Sequence, residues 1–330
     1  MFDIYFKKEY GKICEYVDDG ICEIFECKTE NGLIKNMFIK RPVLWLVDGV
    51  QYYDIVTPYG YGGPIIYEEI NKEELLKDYE KKFQEYCLEN NIVCEFIRWH
   101  PIYNNQKEFN KIYENIYSRH TIGTNIKDYD DPVQSEFSKS ARREMKNSIK
   151  LGVTCSVHPN PEDLSIFRKL YEETMDRNNA EKMYYFPDEY YKLITTTLKP
   201  YIMEVRAHYN NEIIASELYF TAGKVIHAHL LGSNQTFLEL GGGVLLEATA
   251  AKWGKEKGYL YIHHGGGRTS AEDDSLYLYK KKFGKNTEFD FYIGKKIWNE
   301  KLYNKIIKTR ESELGKKIEG DYFPLYRIGE

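Results

Sequence analysis

The chain has 330 residues, a length typical of two domains or one large one, and its 42% hydrophobic and 29% charged residues are typical of a globular protein. Its net charge of −5 gives no overall nucleic-acid footprint, so DNA is not an expected partner. No apolar run long enough for a membrane span and no signal peptide are recognised, so we expect a cytoplasmic protein. The six cysteines show neither a CxxC pair nor a histidine at zinc spacing, and no metal site is expected.

The first third of the chain predicts strands and turns followed by a helix. Runs rich in β-branched and aromatic residues predict strands at 21–27, 33–40 and 52–56. Apolar residues at spacings of three and four over 71–91 predict a helix capped by Asn71. The apolar segment that follows, 92–101, predicts a buried strand.

A loop of unusual composition, "TPYGYGGP", spans residues 57–64 and contains no charged residue. Its glycines, prolines and tyrosines exceed what a surface turn needs. Two interpretations stay open: the loop is a rigid turn, or its backbone passes close to a ligand.

Around residues 128–140 an acidic, proline-containing stretch precedes a basic helix that ends at Gly152, and we place the domain boundary there. We expect an amino-terminal domain of residues 1–133, with 312–330 as a candidate extension, and a carboxyl-terminal domain of 134–311. The second half predicts a strand, two helices, hairpin strands, a glycine turn opening a helix, a strand, a helix, a strand and a final basic helix. The expected fold class is α/β of the α+β type, with mixed, largely antiparallel sheets flanked by helices.

The glycine turn consists of Gly241, Gly242 and Gly243. A helix that begins there leaves backbone N–H groups aligned with the positive end of its dipole, which suits a pyrophosphate or another anion. The pattern is neither a GxxxxGK[ST] phosphate loop nor a GxGxxG dinucleotide loop, so ATP and NAD are not expected. A plain flexible turn is the alternative.

Two basic segments stand out in an acidic chain. Residues 280–310 hold ten Lys or Arg residues against three acidic ones, and a second stripe on the basic helix comprises Lys139, Arg143, Lys146 and Lys150. Each is either a solvated face or a phosphate-binding surface.

The order of strands, glycine turn, helix and strand resembles that of the Gcn5-related N-acetyltransferase (GNAT) superfamily. "PYGYGGP", "HHGGG" at 263–267 and "YKKKFG" at 279–284 together resemble its FemABX-like branch, over about residues 1–310. Tyr279 stands where that branch usually has Phe.

The resemblance implies two tandem GNAT-like domains and transfer of an aminoacyl group from aminoacyl-tRNA to an amine of a peptidoglycan precursor, with no firm cofactor. Lys280 matches the family lysine near the acyl carbonyl, where a fixed cation would stabilise an oxyanion. The loop at 57–64 would border the precursor groove, and the partners would include the tRNA acceptor end and, through peripheral contact, a lipid-linked substrate. The expected substrate-binding residues are Tyr59, Tyr61, Gly62, Gly63, Arg143, His229, His264, Gly265 and Gly266, and the expected cofactor-binding residues are Gly241, Gly242 and Gly243.

Two alternatives stay open. The intact triglycine also suits the pyrophosphate of acetyl-CoA, which predicts an acyl-CoA-dependent N-acyltransferase acting on an envelope sugar or amine. The departure at Tyr279, and the lack of a recognisable general base, leave room for a non-catalytic GNAT-like binding module.

Overall fold

The computed structural model describes residues 3–328, and the chain divides into two compact units. The first unit comprises residues 10–118 and 291–328, and the second comprises 3–9 and 119–290. The domain limits expected from sequence, 1–133 with 312–330 and 134–311, stay a prediction, and the compact units begin and end at other positions.

The first unit is a twisted sheet with helices packed on it. Its strands lie in the order β1-β2-β3-β5-β12, with β4 paired to β2; β3 and β5 are parallel and the other pairs are antiparallel. The elements are α1 (Lys8–Cys14), β1 (Ile21–Thr29), β2 (Gly32–Pro42), β3 (Tyr53–Val56), β4 (Ile65–Glu69), α2 (Lys72–Glu89), β5 (Ile92–Arg98), β12 (Glu288–Ile297) and α9 (Glu300–Leu314).

Helix α2 shows how the sequence pattern produces the packing of this unit. The side chain of Asn71 caps it by accepting a hydrogen bond from the amide of Glu74. Every fourth residue along one face, Leu75, Tyr79 and Phe83, is fully buried against the sheet. Burying a side chain of this size contributes about 1.5–3 kcal/mol, so this face, rather than helix propensity, holds α2 in place.

The second unit has a sheet in the order β6-β11-β10-β9-β8-β7, in which β10 and β11 are parallel and the other pairs are antiparallel. Its elements are β6 (Glu114–Asn125), α3 (Pro132–Glu136), α4 (Lys139–Lys150), β7 (Thr154–Pro159), α5 (Ser165–Arg177), α6 (Asp188–Thr196), β8 (Ile202–Tyr209), β9 (Glu212–Phe220), β10 (Val225–Ser233), α7 (Gly242–Glu256), β11 (Tyr261–Gly265) and α8 (Ser275–Lys281).

Helix α7 and a two-residue hairpin organise this sheet. Asn210 and Asn211 both adopt the left-handed conformation, with φ of 48° and 65°, and join β8 to β9 as the sequence predicts. Helix α7 packs on the sheet through small and branched residues, of which Leu246, Ala250 and Ala251 are at most 1% exposed. This leaves the amino-terminal end of α7 as the part that faces a cavity.

The expected fold class is confirmed, because both units combine a mixed, largely antiparallel sheet with flanking helices. None of the helices within residues 3–328 has the length and apolar character needed to cross a membrane.

Candidate active site

The glycine turn is shaped by a close backbone approach. Gly241 has φ of +68°, in the left-handed region, and its carbonyl accepts a hydrogen bond of 3.2 Å from Ser148 Oγ. A Cβ atom at this position would lie 2.5 Å from the same Ser148 Oγ. Glycine is therefore required both by the left-handed backbone and by the close contact. Gly242 then packs on the side chains of Ala207 and Ala215, and α7 begins with the amides of its first turn directed along the helix axis.

A cavity of about 250 Å³ opens at this turn. Its cationic group is Arg177, whose guanidinium donates to the carbonyl and the hydroxyl of Ser233 at 3.1 Å each. Glu144 also lines it, so the cavity wall carries one charge of each sign. A Cβ on Gly243 would lie 3.1 Å from Tyr279 Oη, so the glycine keeps the wall open beside that hydroxyl. The chemistry fits an anionic group held by backbone amides more than by side chains.

Lys280 lies on α8, whose start is fixed by Asp274. One Asp274 oxygen accepts from the amides of Leu276 and Tyr277 at 3.0 and 2.9 Å, and these and further bonds hold the pKa of this carboxyl well below its usual range. The ammonium of Lys280 donates to the carbonyl of Gly266 at 2.8 Å. Burial lowers the pKa of Lys280 to about 8 from an ordinary 10.5, although neighbouring carboxylates oppose the shift.

The two of these carboxylates that act most strongly are Glu247 on α7 and Glu217 on β9, each 4% exposed. The hydroxyl of Tyr219 donates to Glu217 at 2.6 Å and lies 3.5 Å from Glu247. Burial, followed by the charge of Glu247, raises the pKa of Glu217 well above its usual range, and Lys280 acts in the opposite direction. A buried carboxylate with a raised pKa near a lysine whose pKa is lowered to about 8 is the arrangement expected for proton transfer at neutral pH.

His264 extends this cluster into the core. Thr124 donates its one hydroxyl proton to the carbonyl of Phe283 at 2.8 Å, so its oxygen accepts from His264 Nε2, also at 2.8 Å. Nδ1 then faces Glu247 Oε1 at 3.4 Å and has no hydrogen bond within residues 3–328. His264 and Glu247 therefore lie close together in the buried cluster, with no hydrogen bond between them.

The predicted residues fall into two groups in the second unit. Lys280, His264, Gly265 and Gly266 lie together, at the end of β11 and on α8, and Gly241, Gly242 and Gly243 line or border the cavity that Tyr279 bounds. His229 and Arg143 do not join them.

His229 is a core histidine. Its Nε2 lies 2.5 Å from the hydroxyl of Tyr190, its ring packs on Phe220 with centroids 4.3 Å apart, and burial lowers its pKa to about 3. Arg143 is exposed on α4, where Glu144, not Arg143, lines the cavity. A role for either in substrate binding stays a prediction.

Gly62 and Gly63 belong to the first unit and are buried. The Gly62 amide donates to the carbonyl of Arg98 at 2.8 Å, and its carbonyl accepts from the side chain of Asn105 at 2.9 Å. Gly63 has φ of +88°, and a Cβ there would lie 2.7 Å from Ile97 Cγ2. The loop is therefore a rigid turn packed on β5, and the part that these two glycines play in binding an acceptor stays a prediction.

Tyr59 and Tyr61 are half-buried in the same turn. The Tyr59 carbonyl accepts from the hydroxyl of Tyr10 at 2.6 Å, and its amide donates to Asp18 at 2.8 Å. The Tyr61 ring meets Phe291 edge-on, with centroids 5.3 Å apart. Contact between these rings and a substrate stays a prediction.

Sequence reasoning missed Glu217, Tyr219 and Glu247. A signal was present, because Glu217 interrupts the apolar run "IIASELYF" and Glu247 is the one acid within "GGGVLLEATAAKW". An acidic residue in an otherwise apolar strand or helix is costly unless it is paired, and such residues concentrate at functional sites.

A known domain family covers the part of the chain that contains this cluster. Residues 135–281 match the family model of the acetyltransferase (GNAT) domain, a span that contains Glu217, Tyr219, Glu247, His264 and Lys280. No curated protein sequence matches the chain.

Solved structures share the fold. FemX superposes with a TM-score of 0.69 at 13% identity, over 92% of this chain and 94% of that chain. A domain from Agrobacterium fabrum, assigned as the carboxyl-terminal domain of a lysylphosphatidylglycerol synthetase, has a TM-score of 0.58 at 11% identity, over 86% of this chain and 91% of that one. L-PGS from Bacillus licheniformis has a TM-score of 0.56 at 12% identity, with 92% and 91% covered. This chain therefore contains a GNAT acyltransferase domain over residues 135–281 and shares the fold of FemX.

Proposed function

We propose that this protein transfers an aminoacyl group from aminoacyl-tRNA to an amine of a peptidoglycan precursor. The observation that carries the proposal is the position of Lys280, an oriented ammonium beside two buried carboxylates in a GNAT domain. An acyl transfer to an amine needs these two functions together, a cation for the oxyanion and an acceptor for the amine proton.

The reaction balances with these groups alone. The acceptor amine attacks the ester carbonyl, a C–N bond forms, and the oxyanion that develops lies against the ammonium of Lys280. The amine proton passes to the carboxylate pair of Glu217 and Glu247 and is returned to the ribose oxygen as the C–O bond breaks. In this proposal the pair supplies the general base. The lack of a recognisable base in the sequence was one reason for the alternative of a non-catalytic binding module.

The acceptor class is inferred from sequence motifs and from the fold. The motifs at 57–64 and 279–284 resemble FemABX-like proteins, and the fold is that of FemX. The name of the Agrobacterium fabrum neighbour specifies an amino acid joined to a phospholipid, so amino-acid transfer is a chemistry assigned to this fold. A lipid-linked peptidoglycan precursor combines these features.

A second candidate donor is an acyl-CoA, favoured by the glycine turn. The cavity at the start of α7 presents backbone amides and Arg177, which suit a pyrophosphate. The oxyanion and the amine proton would be handled by the same residues, with a thiolate as the leaving group.

Thermal-shift titration separates the donors. We expect the protein to be stabilised by a hydrolysis-resistant aminoacyl-tRNA acceptor-stem mimic, and to respond less to acetyl-CoA at equal concentration. Stabilisation by acetyl-CoA alone would transfer the assignment to the second candidate. A matched mimic without the aminoacyl group controls for binding of RNA as such.

A further inference from the structure

A short hairpin in the first unit presents apolar side chains to solvent. Val47 and Val50 exchange two backbone hydrogen bonds of 3.0 Å around Asp48 and Gly49, which adopt left-handed φ values of 53° and 75°. This is the geometry of a tight two-residue turn with an Asp-Gly sequence.

The segment before the turn alternates between the core and the outside. Val43 and Val47 are 1% and 3% exposed and pack in a cluster with α9, whereas Leu44 is 67% exposed and Leu46 is 58% exposed. Val50, beyond the turn, is 38% exposed. Three large aliphatic side chains are thus held outward by a segment whose other face is anchored.

A basic stripe on α9 lies beside this hairpin. Lys301, Lys305 and Lys308 are exposed and follow one another at spacings of four and three, so they share one face of the helix. Lys305 pairs with Asp48 at the turn, which locates the stripe next to the exposed aliphatic residues. We call these six residues, Leu44, Leu46, Val50, Lys301, Lys305 and Lys308, the hairpin surface.

A cavity of about 360 Å³ opens at the junction of the turn and α9. It is lined by Lys301 and Lys305, by Asn91 and Asn299, and by Asp48, whose carboxylate pairs with Lys305. Leu88, 48% exposed, stands at its wall. The two lysines outnumber the one carboxylate, so the cavity keeps a positive charge suited to a phosphate, and the neighbouring leucine is suited to the acyl chains of a phospholipid.

We propose that the hairpin surface docks on a bilayer that contains anionic phospholipid, with Leu44, Leu46 and Val50 entering the interface and the lysine stripe meeting the lipid phosphates. Apolar residues beside a row of lysines combine the two contributions that bind a protein to such a surface, burial of apolar area and attraction to negative charge. The cavity at the turn would hold one head group.

Charge complementarity favours this occupant over two others. A tRNA would contact the lysines but would leave the exposed leucines without a role. A second copy of the chain would cover the leucines but would bring the two lysine stripes together, which repel each other. An anionic bilayer satisfies both parts of the surface. The inference does not depend on the acyl-transfer proposal, since docking requires no turnover.

Sedimentation with vesicles tests it on the full chain. We expect the protein to bind vesicles of phosphatidylcholine mixed with phosphatidylglycerol, to bind pure phosphatidylcholine vesicles at least about tenfold more weakly, and to be released by salt. Leu44→Asp with Leu46→Asp should abolish sedimentation. Lys301→Glu with Lys308→Glu should reduce binding about fivefold or more for each lysine reversed.

The matched control is Ile21→Asp with Ile70→Asp, two aliphatic residues of the same unit that are 61% and 77% exposed and lie outside the hairpin surface. This variant should bind as the unaltered protein does. Equal binding to neutral and anionic vesicles, or no binding, would overturn the proposal. So would self-association that the Leu44→Asp, Leu46→Asp variant abolishes in the absence of lipid, or loss of tRNA binding in the lysine variant with vesicle binding unchanged.

Discussion

The ammonium of Lys280 is tied by one hydrogen bond of 2.8 Å to the carbonyl oxygen of Gly266. An ammonium has three N–H donors, so this bond orients the group and leaves two donors for an incoming oxygen. The glycine carbonyl is held in turn by the end of β11, and α8 is held by the cap at Asp274. Lys280 is thus preorganised before a substrate arrives, which is the condition under which a cation contributes most to catalysis.

The pH dependence of transfer should report on Lys280. Its pKa is lowered to about 8, so the fraction of protonated ammonium, and with it the rate, should fall as the pH rises through about 8. Lys280→Arg keeps the charge at higher pH and should remove this alkaline limb, even if its rate at pH 7 is lower. Rates measured from pH 6.5 to 9.5 check this, and an alkaline limb unchanged in Lys280→Arg would assign it to another group.

Replacing either buried glutamate by glutamine should slow transfer. We expect Glu217→Gln and Glu247→Gln each to lower the rate about a hundredfold or more at pH 7, because each removes a proton acceptor from the shared cluster. Glu144→Gln is the matched control, since Glu144 lines the cavity but makes no hydrogen bond to Tyr219. Equal losses in all three variants would mean that the cluster has no special part in proton transfer.

The glycine turn can be tested by closing it. Gly243→Ala places a methyl group 3.1 Å from Tyr279 Oη, at the wall of the cavity, and should weaken donor binding about tenfold by keeping a phosphate from the backbone amides. Titration calorimetry measures this effect. The double variant Gly243→Ala, Tyr279→Phe removes the crowded hydroxyl and so separates strain from blockage. If the double variant regains full affinity, the loss in Gly243→Ala came from strain against Tyr279 Oη, and no ligand phosphate approaches the turn.

Glu95 should make the stability of the first unit depend on pH. It is 1% exposed, and burial raises its pKa to about 7 from an ordinary 4.5, despite hydrogen bonds from Asn36, Tyr113 and Trp298. The folded protein therefore holds a proton that the unfolded chain releases between these values. This contribution, at most about 3 kcal/mol, is complete below pH 4.5 and is lost as the pH rises through 7.

Urea unfolding at pH 5 and pH 7.5 measures that change in the free energy of unfolding. Glu95→Gln, which stays neutral, should show a smaller difference between the two pH values than the unaltered protein. Glu85→Gln, an exposed residue on α2, is the control and should reproduce the unaltered pH dependence. An identical pH dependence in Glu95→Gln would mean that Glu95 does not titrate in this range.

The fold was predictable where local chemistry marks the ends of elements. Asn71 before α2 and the Asn210–Asn211 hairpin are local signals that act within a few residues. Asp274 belongs to the same class, since sequence places an acidic pair before α8 and the structure makes Asp274 the cap. Lys280 was predicted from the neighbouring residues of the segment 279–284, which resemble the residues around a lysine of the FemABX-like branch.

The remaining residues of the candidate site could not be predicted from local sequence. Glu217 and Glu247 are 30 positions apart, and only the packing of α7 on the sheet brings both carboxylates to the hydroxyl of Tyr219. His229 shows the opposite error, in which the sequence predicts a site residue that the structure places in the core. A histidine on a strand of the GNAT-like domain has, in sequence, the features of a substrate-binding residue. The irregular pairing of β10 between Ala228 and Leu230, and the contact with Tyr190, are properties of the folded strand alone.

Product analysis after one turnover tests the central claim most directly. The protein is mixed with radiolabelled aminoacyl-tRNA and a peptidoglycan precursor that carries a free amine, and the precursor is then isolated and analysed by mass spectrometry. The account predicts an amide-linked aminoacyl group on the precursor, a rate about a hundredfold or more lower in Lys280→Met, and little change in Lys281→Met, whose lysine pairs with Glu288 instead. Amide formation that is as fast in Lys280→Met as in the unaltered protein, or its absence with both aminoacyl-tRNA and acyl-CoA as donors, would contradict it.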